Sequence, residues 1–348
     1  MVAVDDPTRN WTDPGVYEVS PGVFRIPLPL PTDGLRAVNV YAIVDGDELV
    51  LIDSGWAIEA AKDTLVAALA GIERSVGDVK RFLVTHVHRD HYTQAVVLRR
   101  EFGTEIALGI GEQPTLERIA ERVAGTSTDE APIFFHRLHA AGAFDLMKQM
   151  AAAPRRPQTD DDAWERPDEW LADGATAKVG LRELTAVHTP GHTRGHLIFA
   201  DAANGLVFAG DHVLPHITPS IGFEGAPVDF PLRDYLDSLR LVRSMPDARL
   251  LPAHGPVAGS VHQRVDELLE HHDRRLAVTG DIVARGESTA AEVAGRMTWT
   301  RRERTLAEMD VFNQMLAILE TMSHLDVLML QGRLTRADVD GTHHYRVA

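Results

Sequence analysis

The 348-residue sequence predicts an α/β fold, and three features of the chain indicate it. Short apolar runs alternate with turns up to about residue 111, a helical stretch follows, and strand-like runs return after about residue 170. Beyond about residue 260 the pattern is mainly helical. We therefore predict an α/β domain over residues 1–260 with a helical insertion at about 112–170, followed by a mainly helical domain over 261–348.

The elements of the first domain follow from apolar spacing and turn residues. A hairpin is predicted around Asp45-Gly46-Asp47. The predicted strands are Val38–Val44, Leu49–Asp53, Arg81–Thr85, Leu184–Val187, Leu197–Ala200 and Leu206–Ala209, and the predicted helices are Ala57–Ala70 and Ala95–Phe102.

The second domain has three predicted helices and a terminal hairpin. Thr289 and Glu292 have the spacing of a capping box, and Asp340-Gly341 is typical of a hairpin turn. The helices are expected over Val261–Arg285, Thr289–Met297 and Arg302–Leu330, and the hairpin strands over Gly332–Asp338 and His343–Val347.

Composition narrows the classes of protein to which the chain can belong. Its formal net charge is −16, which disfavours a nucleic-acid partner, and it contains no cysteine, which excludes disulfides and thiolate chemistry. No apolar stretch approaches a membrane span, and the polar N-terminus lacks the pattern of a secretory signal. We expect a cytoplasmic protein with a small-molecule substrate.

The strongest chemical signal is the segment Thr85-His86-Val87-His88-Arg89-Asp90-His91, directly after a predicted strand. A tight turn at a strand end can direct several side chains into one pocket, and imidazole with carboxylate suits zinc, iron or manganese. Alone, such a turn could equally be a surface histidine cluster.

Three further strand ends carry ligand-type residues. His192 lies in Thr189-Pro190-Gly191-His192-Thr193, Asp211 follows Gly210, and His254 lies in Pro252-Ala253-His254-Gly255. Because these residues recur in order at separate strand ends, they favour one metal centre over scattered surface residues.

These motifs together resemble the metallo-β-lactamase superfamily, in particular its glyoxalase II and β-lactamase-like 2 members. The resemblance implies a four-layer αββα fold and two divalent metal ions, with Zn²⁺ expected and iron or manganese as alternatives. By resemblance, one metal would be held by His86, His88 and His192, the other by Asp90, His91 and His254, and Asp211 would bridge both.

The same resemblance gives Asp53 a role in orienting an imidazole ligand, with a turn-capping aspartate as the alternative. His196 is expected to pack beside the ligands and not to bind metal. The catalytic carboxylates would be Asp90, which could orient the attacking hydroxide, and Asp211.

The chemistry expected of this centre is hydrolysis of a small acyl compound, a thioester or a lactone, by a metal-bridging hydroxide. The alternatives are a phosphodiesterase or endoribonuclease, an enzyme that oxidises persulfides with one iron, and a non-catalytic regulator. β-Lactam hydrolysis has little support, because many proteins without that activity share the ligand pattern.

Two segments lie outside the core of the resemblance. Phe134, Phe135, Met147 and Met150 in the insertion fit either a packed core or a lid that binds an apolar acyl group. The tail resembles a winged-helix appendage, and its basic residues Arg301, Arg302 and Arg304 raise the idea of DNA binding. Because acidic residues dominate the following helix, we favour a packing or homodimerisation module.

Overall fold

The computed structural model describes residues 2–6, 8–31, 34–123, 133–152, 163–226, 228–286, 288–300 and 302–348. The predicted α/β fold is confirmed, and its two main sheets contain eight and five strands.

The larger sheet has its strands in chain order. The pairs from β2 to β5 are antiparallel, whereas β1–β2 and the pairs from β5 to β8 are parallel. The strands are β1 Ala3–Val4, β2 Tyr17–Ser20, β3 Val23–Pro29, β4 Ala37–Asp45, β5 Glu48–Ile52, β6 Arg81–Val84, β7 Glu105–Gly109 and β8 Glu169–Leu171. The predicted hairpin at residues 45–47 is confirmed, since it joins β4 to β5.

The smaller sheet has the order β13-β12-β11-β10-β9, in which only the β12–β13 pair is parallel. Its strands are β9 Thr176–Val179, β10 Arg182–His188, β11 Leu197–Asp201, β12 Leu206–Gly210 and β13 Arg249–Pro252. The three strands predicted in this region are confirmed.

Six α-helices accompany these strands within the described residues. They are α1 Glu59–Gly71, α2 Arg89–Phe102, α3 Gln113–Val123, α4 Ile133–Ala140, α5 Phe144–Ala152 and α6 Pro231–Ser244. The helix predicted from Ala95 in fact begins at Arg89, with His88 as its N-cap. The first turn was missed because its polar residues hide the apolar spacing. Asp90 and His91 are therefore held on a rigid helix and not on a loop.

Three apolar clusters show that the sheets and helices form four layers. One packs α1 and α2 on the larger sheet and includes Leu65 and Val96. A second fills the space between the sheets and includes Leu83 and Phe199. The third packs helices on the outer face of the smaller sheet.

The tail contains α7 Val261–Val283, α8 Ala290–Arg296, the short strands β14 Thr298–Trp299 and β15 Arg304–Thr305, α9 Val311–Leu330, and the hairpin β16 Leu334–Val339 with β17 Thr342–Val347. The capping box of Thr289 and Glu292 and the terminal hairpin are confirmed. The last helix was predicted to begin at Arg302 but begins at Val311, where Asp310 caps it by accepting from the backbone N–H of Asn313.

The tail shares a core with the preceding domain. The third apolar cluster includes Leu232 and Leu239 of α6 together with Leu268 of α7 and Leu325 of α9. A domain boundary near residue 260 and a winged-helix topology for the tail remain predictions. No helix among the described residues is long and apolar enough to cross a membrane.

Candidate metal centre

Four of the predicted ligands lie in segments that follow strands of the two main sheets. His86 comes two residues after β6, Asp211 directly after β12, and His254 two residues after β13. His192 lies in the loop between β10 and β11. Backbone hydrogen bonds tie these segments together, from Leu197 N–H to the Thr85 carbonyl at 2.8 Å and from Ala253 N–H to the Gly210 carbonyl at 3.0 Å.

The structure brings all seven predicted ligands together in two adjacent groups. One group contains His86, His88, His192 and Asp211, and the other contains Asp90, His91 and His254. Within each group every residue offers a ligand atom within 4.8 Å of the others. Either group could hold a metal ion.

Asp211 lies between the two groups. Its Oδ2 is 3.4 Å from Nε2 of His192, while its Oδ1 is 3.3 Å from Nε2 of His254 and 3.7 Å from Nε2 of His91. One carboxylate thus presents a separate oxygen to each group.

Hydrogen bonds at the outer nitrogens direct lone pairs into the centre. Nδ1 of His192 donates to the Ser220 carbonyl at 2.9 Å, and Nδ1 of His254 donates to the Ala37 carbonyl at 2.8 Å. Because a carbonyl only accepts, each neutral ring carries its proton on Nδ1 and keeps a lone pair on Nε2. His88 differs, since its Nδ1 faces the centre, 3.1 Å from Nε2 of His192.

Several inward-facing atoms are buried without a hydrogen-bond partner. They are Nε2 of His86, His91 and His254, and Oδ1 of Asp211. Buried polar atoms rarely stay unpaired, and imidazole with carboxylate is a donor set for zinc and related ions. The residues present therefore fit a divalent metal centre.

The electrostatics of the centre favour a bound cation. Burial opposes the charged form of His91, but the carboxylates of Asp53, Asp90 and Asp211 outweigh it and raise the pKa of His91 to about 10. Burial, with other imidazoles nearby, lowers the pKa of His86 well below its usual value. The field that would hold a proton on His91 equally favours a metal ion in its place.

Asp53 contacts the centre through His91. Its Oδ2 lies 2.9 Å from Nδ1 of His91, and its Oδ1 accepts from the backbone N–H and the hydroxyl of Thr85 at 2.8 and 3.0 Å. Its backbone has a φ of 60°, a left-handed conformation that few non-glycine residues adopt. Through these hydrogen bonds Asp53 connects Thr85, which precedes His86, to His91 in α2.

His196 contacts the backbone of Asp211. Its Nε2 accepts from the Asp211 N–H at 3.1 Å, and its Nδ1 lies 2.9 Å from the Thr189 hydroxyl. Neither group of candidate ligands includes His196. Gly210, the residue before Asp211, has a φ of 49°, and a Cβ at this position would lie 2.7 Å from Nε2 of His196. The close contact between His196 and the backbone of Asp211 therefore requires glycine at residue 210.

Two buried carboxyl groups beside the centre were missed in the sequence. Glu112 accepts from the Thr193 hydroxyl and from the backbone N–H of Val87. Glu224 accepts from the Thr115 hydroxyl and from the Arg194 N–H, both at 2.9 Å. Burial raises the pKa of Glu112 to about 8 and that of Glu224 to about 7. The sequence offered one signal for Glu112: it closely follows the end of β7, the strand that pairs in parallel with β6, which leads to the first ligands.

A large cavity of about 2720 Å³ opens over the centre. It is lined by His88, Asp90, His192 and Asp211, by residues of the insertion, and by residues of α7 and α9 in the tail. Its apolar wall includes Phe134, Phe135, Met150, Trp164, Phe223 and Phe312. Phe134 and Met150 also pack against the third apolar cluster, so the insertion both packs and lines the cavity.

Curated relatives match much of this chain. A lactamase-like protein, ptaB, from Pestalotiopsis fici is 25% identical over 261 residues, which is 75% of this chain and 64% of that protein. An atrochrysone carboxyl ACP thioesterase of Aspergillus fumigatus is 26% identical over 75% of this chain and 65% of its own length. This chain thus spans slightly under two thirds of both relatives. The probable metallo-hydrolase YqjP of Bacillus subtilis is 24% identical over 89% of this chain and 92% of its own.

A solved structure and a family model extend the comparison. A metallo-beta-lactamase family protein of Thermus thermophilus superposes with a TM-score of 0.72 at 25% identity, over 95% of this chain and 100% of that one. The family model described as the metallo-beta-lactamase superfamily matches residues 33–254, which contain every candidate ligand. The chain belongs to the metallo-beta-lactamase superfamily.

Proposed function

We propose that the chain is a dinuclear metal-dependent hydrolase that cleaves acyl thioesters. The observation that carries the dinuclear part is the position of Asp211, whose two oxygens face separate ligand groups. His86, His88 and His192 would hold one ion, Asp90, His91 and His254 the other, and Asp211 both. Membership of the superfamily and the names of the relatives support a hydrolase.

Two divalent ions in such a centre lower the pKa of a water molecule and polarise a carbonyl oxygen. The protein's own part is to hold and orient the reacting groups. Burial opposes ionisation of Asp90, but the imidazoles of His91 and His254 outweigh it and lower the pKa of that carboxyl. Asp90 also lines the cavity. It would therefore orient the attacking water through an ionised oxygen.

The cavity supports a bulky acyl substrate. Its volume exceeds the roughly 300–1,000 Å³ typical of small-molecule sites. The Phe223 ring lies near the rings of Phe134 and Phe312 and near that of His88. An apolar acyl group could thus lie against aromatic side chains while its carbonyl reaches the centre. A relative named as an acyl-carrier-protein thioesterase supports the choice of a thioester over a lactone.

The charges around the cavity support an acyl substrate over a phosphodiester. Arg264 pairs with Glu267 at 2.8 Å, and Arg274 pairs with Glu270 at 2.6 Å. The positive charges of these two arginines in the cavity wall are thus balanced by glutamates of the same helix, α7. A groove that tracks nucleic acid needs a surplus of basic groups.

The test is a parallel assay of one purified sample whose metal content has been measured. We expect hydrolysis of acyl thioesters, with bulky acyl groups preferred over acetyl, and a loss of activity on metal removal that zinc, iron or manganese restores. Lactones, phosphodiesters and single-stranded RNA are assayed beside them. Faster cleavage of any of these would overturn the thioester assignment.

A further inference from the structure

A second cluster of ligand-type side chains lies in the cavity wall, away from the seven-residue centre. We propose that His271 and His272 of α7 and Glu320 of α9 bind a divalent transition-metal ion such as Zn²⁺. Each offers one ligand atom, and these atoms all lie within 4.8 Å of one another. The site would join two helices of the tail.

A chain of hydrogen bonds fixes the protonation of His272. Nδ1 of His324 lies 2.8 Å from the Glu320 carbonyl, so it must donate, and Nε2 of His324 keeps a lone pair. Nδ1 of His272 lies 3.2 Å from that Nε2 and must therefore donate to it. The proton of a neutral His272 is thus on Nδ1, which leaves an unprotonated Nε2.

This Nε2 of His272 is the second, independent observation. The His272 side chain is fully buried, and its Nε2 has no hydrogen-bond partner. A buried lone pair without a donor is unfavourable unless water or a metal ion satisfies it.

The three side chains suit a zinc-type ion. Two imidazoles and one carboxylate are a common ligand set for zinc and related ions. The rings of His271 and His272 lie close together at nearly right angles, with their centroids 5.2 Å apart. His271 and Glu320 also line the cavity. A fourth coordination position would therefore face the cavity.

The neighbouring Arg275 sets an expectation for how tightly this site binds metal. Arg275 lies over the Trp299 ring, 4.3 Å from its centroid, and donates to the Thr298 carbonyl at 3.0 Å. Its charge opposes a bound cation. We therefore expect this site to fill after the seven-residue centre and to empty before it.

The experiment counts zinc ions per folded chain by elemental analysis, with free zinc buffered at a level that saturates the wild type. His271→Ala and Glu320→Gln should each bind one ion fewer per chain than the wild type. His262→Ala, a histidine of the same helix outside the cluster, should bind as many as the wild type. Glu320→Gln keeps the shape of the side chain, so it remains informative if the alanine variant folds poorly.

A cobalt titration followed by visible absorption provides a second measurement. The wild type should show a late spectral component that both variants lack and that His262→Ala retains. Equal zinc counts in the wild type and in Glu320→Gln would overturn the proposal and leave a neutral hydrogen-bonded cluster. Because the measured quantity is a difference in bound metal, a wrong substrate assignment does not affect the result.

Discussion

Oδ2 of Asp53 lies 2.9 Å from Nδ1 of His91, and both side chains are buried. This contact places the proton of a neutral His91 on Nδ1 and directs its Nε2 toward Asp90 and Asp211. Since carboxylate partners of metal-binding histidines fix ring orientation and raise basicity, we infer that Asp53 positions His91.

Asp53→Asn should weaken metal binding by roughly 10- to 100-fold. The amide removes the negative charge beside His91, while asparagine tolerates the left-handed backbone at this position. Chelator competition with the purified variant measures the affinity. Asp145→Asn, an exposed aspartate of α5, is the control and should bind metal like the wild type. A metal affinity equal to that of the wild type in Asp53→Asn would mean that Asp53 only caps the turn.

His196→Leu should lower both stability and turnover. The substitution leaves the buried N–H of Asp211 without its acceptor, which costs about 1–3 kcal/mol. Urea unfolding of the metal-free protein measures the first effect, and kcat of the metal-replete protein the second. A variant with reduced stability but unchanged kcat would restrict His196 to a packing role.

Glu112→Gln should make stability less sensitive to alkaline pH. Burial raises the pKa of Glu112 to about 8, so the native state favours the protonated carboxyl. Its contribution to stability is complete below the unfolded pKa near 4.5 and is lost as pH rises through about 8. Tm should therefore fall less between about pH 6 and pH 9 in this variant than in the wild type.

Glu183→Gln, an exposed glutamate of β10, is the control for the pH series and should follow the wild-type curve. Parallel curves for Glu112→Gln and the wild type would show that Glu112 ionises as an ordinary carboxyl.

Phe312→Ala should raise KM for bulky acyl thioesters by roughly tenfold, because the ring offers apolar surface in the cavity wall. KM for acetyl thioesters should stay near the wild-type value, since a short acyl group need not reach α9. Steady-state kinetics on a chain-length series measures both. Phe102→Ala, an exposed phenylalanine outside the cavity, is the control. An equal effect on all chain lengths would remove α9 from the acyl site.

The strand ends and their ligand-type residues could be predicted from the sequence because each lies beside a local turn signal, as His192 does after Pro190-Gly191. The early start of α2 could not, since Arg89 and Asp90 lack apolar spacing. Glu112 and Glu224 approach the ligand loops only through tertiary packing. The pairing of His272 with Glu320 likewise depends on α7 packing against α9, which no local pattern encodes.

The central claim is that Asp211 serves two metal ions in a hydrolytic centre. The most direct test is thioester hydrolysis by purified Asp211→Ala in metal-replete buffer, with folding checked by circular dichroism. Because the substitution removes the oxygens that face both ligand groups, activity should fall to background while the fold is retained. Wild-type turnover in this variant would contradict the dinuclear mechanism.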